Sequence, residues 1–354
     1  MTRILSFLVL LLVWVPSQAT THCVILQYHH FSDQTPAITS VSPAQFDDHL
    51  AYLSTHKFNV LPLRQVVAAL RQNKTLPDRC VSLTVDDAYQ SVYTNAFPRL
   101  QKLGWPLTVF VNSEAVDRGL ASYMTWDQMR ELSSQGVVFE NHGHGHIHMI
   151  RKNSAESDQD WRQRITNDVN TAQRRISEEI GDAPQLFAYP YGEFSPATAE
   201  IIDAMGLVGF GQQSGPAWSG ADFAALPRFP MAAKYAELKN FRIKVNTLPL
   251  PVVGLWPKDP LLVLQQRRPT LKLKLVAGAY SKAELQCYIN GSSDVAINWS
   301  RDIPDQLTVT PNFDLRPGRH RTNCTMPSPE KGRFHWYSHN WFVRNPDGSW
   351  YSEY

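Results

Sequence analysis

Beyond its first twenty residues the chain has no long hydrophobic run, and this excludes a later membrane-spanning helix. Charge of one sign is also missing: 34 Lys and Arg stand against 32 Asp and Glu, a formal net charge of +2, and the basic residues form no block. Such a balance leaves no electrostatic footprint for nucleic acid, so a neutral or weakly charged partner is expected. Cysteine is scarce at four residues, and there is no internal repeat or long low-complexity tract.

The one apolar run lies at the start. Arg3 precedes Leu5 to Val15, and Pro16, Ser17, Gln18 and Ala19 follow. A positive charge, a core too short to cross a bilayer and a small residue at the cleavage position read as a signal peptide over residues 1–19, with no transmembrane anchor. Cys23 lacks the leucine-rich run that a lipoprotein site would have just upstream. The expected location is therefore periplasmic or secreted, where an even cysteine count favours disulfides. Cys23 and Cys80 each open an apolar, strand-like run, and neighbouring parallel strands would bring them together at one end. Cys287 and Cys324 make the second pair. Buried free thiols are the alternative.

The remaining length suits two domains. Over residues 20–246 short apolar runs alternate with amphipathic helices, the pattern of an α/β domain. Strands are expected at Val24–Tyr28, Val81–Val85, Leu107–Asn112, Val137–Glu140, Leu186–Tyr189 and Leu207–Gly211. Between Ser157 and Gly181, Trp161, Ile165, Val169, Ala172, Ile176 and Ile180 recur at steps of three or four, which predicts a helix covering a sheet. Ser42-Pro43 and Ser195-Pro196 predict further helix starts. Residues 247–260, rich in proline, read as a linker. From 261 to 354, alternating Leu271, Leu273 and Leu275 and the Asn290-Gly291 turn predict a β-sandwich with a hairpin.

Three of the expected strand ends carry polar clusters. These are Thr84-Val85-Asp86-Asp87, the run Asn141 to His148 with four alternating histidines, and Tyr189-Pro190-Tyr191-Gly192. In parallel α/β sheets chemistry gathers at the carboxyl ends of the strands. One carboxylate and two imidazoles converging there make a three-ligand site with an open position, suited to Zn²⁺. One of the paired aspartates would bind the metal and the other would take a proton from water. Asp86-Asp87 as a mere turn or cap, and the histidines as a solvent-facing strand or a loose metal-binding tract, are the blander readings.

Over Val24 to Met231 these motifs resemble the polysaccharide deacetylase family, also called the NodB-homology family or carbohydrate esterase family four. The resemblance implies a distorted (β/α) barrel and hydrolysis of N-acetyl groups on N-acetylglucosamine-type sugars of an extracellular or envelope polysaccharide or oligosaccharide. Thr84 to Ala88 match the family's Thr-Phe-Asp-Asp-Gly motif, so Asp86 is implied as base and Asp87 as metal ligand. Asn141, His142 and His146 match the second motif and imply both histidines as ligands; a register using His144 and His148 has the same spacing. Phe187 to Gly192 resemble the Phe-Ala-Tyr-Pro-Tyr-Gly form of one branch. That motif implies Tyr189 and Pro190 in the substrate groove and the Tyr191 N–H as oxyanion donor.

The chain also departs from the family pattern. Gly143 replaces Ser or Thr, Ala88 replaces Gly, and Ala188 stands where many members carry an arginine that orients the base. No segment matches the late Leu-x-x-His that supplies the general acid. Arg228, in a stretch resembling the same branch, is expected to contact base or substrate, or to form a surface ion pair; His29 or His30 is expected near the site. Trp126 fits core packing better than sugar stacking, and the aromatics from Trp336 to Tyr351 fit a sandwich core or a sugar platform. The missing acid and arginine also suit a carbohydrate-binding protein that has lost catalysis; a hydrolase for another amide or ester is a further alternative. Cobalt, nickel or iron suit the same donors as zinc.

Overall fold

The computed structural model describes residues 21–277 and 281–352. The expected signal peptide lies outside the described residues. No helix among the described residues is long and apolar enough to cross a membrane.

Six parallel strands form one curved sheet in chain order: β1 (His22–Tyr28), β2 (Cys80–Asp86), β3 (Thr108–Val111), β4 (Val138–Asn141), β5 (Leu186–Ala188) and β6 (Val208–Phe210). All six were legible as apolar runs, and their boundaries agree to within one or two residues. β1 and β2 are buried along their whole length, which is why they read as continuous rather than alternating apolar segments.

The barrel closes through a segment with almost no pattern of its own. Leu226 bridges to Phe210 on β6, and β7 (Phe229–Pro230) pairs in parallel with Leu26 and Gln27 on β1. Arg228 sits in this closing segment.

Helices cover the sheet where sequence signals put them. The helix Pro43–Thr55 begins on a reciprocal cap between Ser42 and Gln45, and Pro196–Ala204 begins on Ser195 and Thr198 in the same way. The long helix Asp158–Ile180 is capped by Ser157 and ends on Gly181 at φ 80°. It buries Trp161, Ile165, Val169, Ala172 and Ile176.

Two four-stranded sheets follow and enclose a separate core that includes Leu271, Leu273, Leu275, Val309 and Trp341. The proline-rich segment expected to be a linker belongs to this sandwich. Leu248–Pro249 pairs with Phe334–Val343, and Val252–Trp256 pairs with Leu271–Leu275, each at a sheet edge. Edges tolerate proline because one side of the strand needs no ladder donors. Asn290 and Gly291 make a tight turn, both with positive φ. Ile289 and Ser292 close this hairpin turn with reciprocal backbone hydrogen bonds, and the strand after it, Val295–Trp299, then crosses to the other sheet.

Both expected disulfides form, Cys23–Cys80 between β1 and β2 and Cys287–Cys324 within the sandwich. The first closes a separation of 57 residues, worth about 4 kcal/mol by the chain-entropy relation.

Candidate metal centre

Where β2 ends, Asp87 and Ala88 both adopt left-handed backbone angles, φ 73° and 57°. Such conformations are unfavourable for residues with a Cβ and persist only where the surroundings hold them. The result is that two adjacent carboxylates meet different partners.

Asp86 is fully buried. Its Oδ1 accepts from Arg228 Nη1 at 2.7 Å, and its Oδ2 accepts from Arg228 Nη2 at 2.9 Å and from Gln27 Nε2 at 2.5 Å. Burial pushes the carboxyl up, but the Arg228 charge, with help from His142 and the Arg228 hydrogen bonds, outweighs it and holds Asp86 well below the usual carboxylate range. It is therefore an anion at neutral pH.

Asp87 instead faces two imidazoles. Its Oδ1 lies 3.2 Å from His146 Nε2 and 3.5 Å from His142 Nε2. His142 Nδ1–H donates to the Ala188 carbonyl at 2.7 Å, which leaves Nε2 as the free lone pair. Burial, against the opposing pull of Asp87, lowers His146 to about 4 and keeps its ring neutral.

The buried Asp87 Oδ1 has no hydrogen-bond donor. The ligand atoms of Asp87, His142 and His146 all lie within 4.8 Å of one another. Donors about 2.0–2.1 Å from a shared tetrahedral centre would sit about 3.3 Å apart, so the residues present fit a divalent cation.

The loop between the two histidines is strapped down. Asp168, on the long helix, accepts from His144 N at 3.0 Å and Gly145 N at 2.8 Å, and Asn141 Oδ1 accepts from Gly143 N at 2.8 Å. A Cβ on Gly143 would meet Asp168 Oδ2 at 2.6 Å, and its φ is 76°; glycine stands there for both reasons. His144 Nδ1 bonds Ser113 Oγ and His148 Nδ1 bonds Glu193, so of the two possible registers the structure assembles His142 with His146.

Several expectations change. Of the alternatives for Arg228, the contact with Asp86 is the one the structure forms: the side chain is fully buried, so it makes no surface ion pair, and it bonds Asp86 and Gly211. An arginine thus meets Asp86 although position 188 carries alanine. Tyr189 is not in a groove, since its side chain is wholly buried and its hydroxyl donates to Ala224 O; Pro190 is buried as well. Tyr191 is half-buried and stands edge-on to His146 at 4.5 Å. His29 is half-buried and close enough to bear electrostatically on Asp86 and His146. Trp126 bonds Asp117 and packs on the core.

The sequence reading missed Gln27, Asp168 and Glu193. Only Gln27 left a signal, as the one polar side chain between Cys23 and Tyr28.

Fold and site together define a class: an α/β barrel-like domain with a buried Asp-His-His cluster able to hold a divalent metal at the carboxyl ends of its strands. A family model described as polysaccharide deacetylase matches residues 73–210, less than half of the chain. The poly-beta-1,6-N-acetyl-D-glucosamine N-deacetylase of Escherichia coli strain K12 is 26% identical over 263 residues, covering 64% of this chain and 38% of that protein. The protein of the same name from Staphylococcus aureus strain MRSA252 is 26% identical over 174 residues, covering 48% and 59%. The chain thus spans well under two thirds of these relatives. Among solved structures, Streptococcus pyogenes deacetylase PplD in complex with acetate matches with a TM-score of 0.57 at 23% identity, over 64% of this chain and 99% of that one. The de-N-acetylase of Aggregatibacter actinomycetemcomitans matches with 0.55 at 23% identity, over 62% and 99%. These likenesses show the fold.

Proposed function

We propose that the protein is a metal-dependent hydrolase that removes N-acetyl groups from amino sugars of the N-acetylglucosamine type in an extracellular or envelope polysaccharide. The observation that carries this is the pairing of a donor-free Asp87 oxygen and two imidazole nitrogens with an adjacent, separately held carboxylate, Asp86. The names of the E. coli and S. aureus relatives support the substrate class.

Asp87, His142 and His146 would hold the cation, most simply Zn²⁺. When bound, that ion supplies Lewis-acid polarisation at the acyl carbonyl. Asp86 would take the proton from the attacking water. Arg228 and Gln27 fix both of its oxygens, which sets the direction of the transfer and keeps the group ionised. The Tyr191 N–H would donate to the oxyanion as the carbonyl becomes tetrahedral. Cleavage of the C–N bond then gives acetate and an amine, the amine taking up the proton released from water. His29, half-buried and near enough to bear electrostatically on Asp86 and His146, would be placed to assist that transfer. Two disulfides support an oxidising, exported location.

The test is acetate release from an N-acetylglucosamine oligomer by the mature protein, with and without Zn²⁺, beside Asp86→Asn and His142→Ala. Metal-dependent release that both variants abolish is the expected result. Binding of metal and sugar without release under any condition would refute the reading in favour of a carbohydrate-binding protein.

A further inference from the structure

One buried carboxylate has no part in the mechanism above. Glu193, fully buried, comes two residues after Tyr191 and collects four donors. His148 Nδ1 lies at 2.8 Å and Arg151 Nη2 at 3.2 Å, both from just past the histidine loop. Tyr351 Oη at 2.5 Å and Arg319 Nη1 at 3.4 Å reach it from the C-terminal sandwich.

The same residues grip the Tyr191 ring. His148 stacks on it at 3.8 Å with planes 11° apart, and the Arg319 guanidinium lies 5.5 Å from its centroid. Arg151 in turn lies over the rings of Trp350 and Tyr351 at 5.1 and 4.9 Å. Tyr191 itself has φ 60° and ψ 2°, a left-handed conformation that a tyrosine keeps only if neighbours impose it. Its ring meets His146 of the metal cluster.

We propose that the sandwich is a working part of the site and not an independent sugar-binding module: through Arg319 and Tyr351 it clamps Glu193, which holds the Tyr191 turn against the metal cluster. Arg319, Tyr351 and Glu193 are positioning residues. The physical reason is the burial of Glu193. An anion removed from water must be matched by donors in fixed places, and half of its matching donors belong to the sandwich. Taking them away lets the turn relax toward ordinary backbone angles and withdraws the Tyr191 N–H from its place. The functional half of this inference rests on the deacetylase reading; the structural half does not.

The test uses the full chain with Tyr351→Phe, Arg319→Met and the double variant. Hydrogen exchange followed by mass spectrometry should show residues 189–195 of the double variant exchanging about tenfold faster or more, with Cys23–Tyr28 unchanged. Tyr351→Phe, which keeps the ring, should give a smaller change in the same direction. Zinc affinity should stay within about twofold of wild type, and kcat for acetate release from the oligomer should fall about tenfold. Unchanged exchange at 189–195 in the double variant overturns the clamp. Faster exchange with unaltered kcat overturns its role in positioning. A wild type that releases no acetate sinks the deacetylase reading instead, and exchange alone then decides the clamp.

Discussion

Replacing Arg228 with Met tests the electrostatic core of the site without touching a metal ligand. The substitution removes the two charge-assisted bonds to Asp86, at 2.7 and 2.9 Å, and the bond from Nε to the Gly211 carbonyl at 3.1 Å. Gln27 remains as a neutral donor to Asp86. A buried carboxylate stripped of its cation costs about 3–5 kcal/mol if it stays charged. It can escape by taking up a proton, and that route sets a ceiling. Protonating a carboxyl of ordinary pKa near 3.9 costs about 4 kcal/mol at pH 7 and about 1.5 kcal/mol at pH 5. The loss should therefore approach 4 kcal/mol at pH 7 and shrink toward pH 5.

The sign is consistent with the wild type. Its Asp86 is held below the ordinary value, so it contributes stability above pH 4 that disappears as acid protonates it. Urea unfolding of metal-free protein at both pH values is the assay. With a denaturant slope of about 3 kcal/mol per molar, the midpoint should fall by about 1.3 M at pH 7 and by less than half of that at pH 5. Asp86→Asn combined with Arg228→Met should lose less than the sum of the single changes. Arg228→Met as stable as wild type at pH 7, or equally destabilised at both pH values, would refute the reasoning.

Two further outcomes are expected. Asp168→Ala frees the amides of His144 and Gly145, so zinc affinity measured by competition with a chelator should drop about 10- to 100-fold while the melting temperature changes little; unaltered affinity would remove Asp168 from the support of the site. Mild acid should destabilise the fold through its buried histidines, among them two far from the metal cluster. His49 donates from Nε2 to the Ala236 carbonyl and accepts at Nδ1 from Tyr28, a neutral ring that burial lowers to about 4, and burial lowers His339 to about 3. Both resist the proton that the unfolded chain accepts near 6.5, so stability is full above 6.5 and falls as pH drops toward 4, by about 3 kcal/mol for each histidine. A melting temperature that is flat over that window would contradict it, and His49→Gln should reduce the slope.

The sequence by itself determined the elements that are local or periodic. Six strands showed as apolar runs because both of their faces are buried, and the long helix showed through its repeat and its Ser157 and Gly181 ends. Asp86, Asp87, His142 and His146 were visible because paired carboxylates and alternating histidines at strand ends stand out by residue type and spacing. Tertiary structure decided everything that depends on approach from afar in the chain. For Arg228 the sequence left base contact, substrate contact and a surface ion pair open, and barrel closure decided it by bringing the side chain to Asp86, 142 residues away in sequence. Tyr189 looked like a groove residue until the turn at Pro190 buried it. The prolines of 247–260 looked like a linker because sheet edges and linkers tolerate proline equally. Glu193 and Arg319 had no signature at all, and Tyr351 stood out only as one of several aromatics, since a buried carboxylate is recognisable only by the donors that folding brings to it.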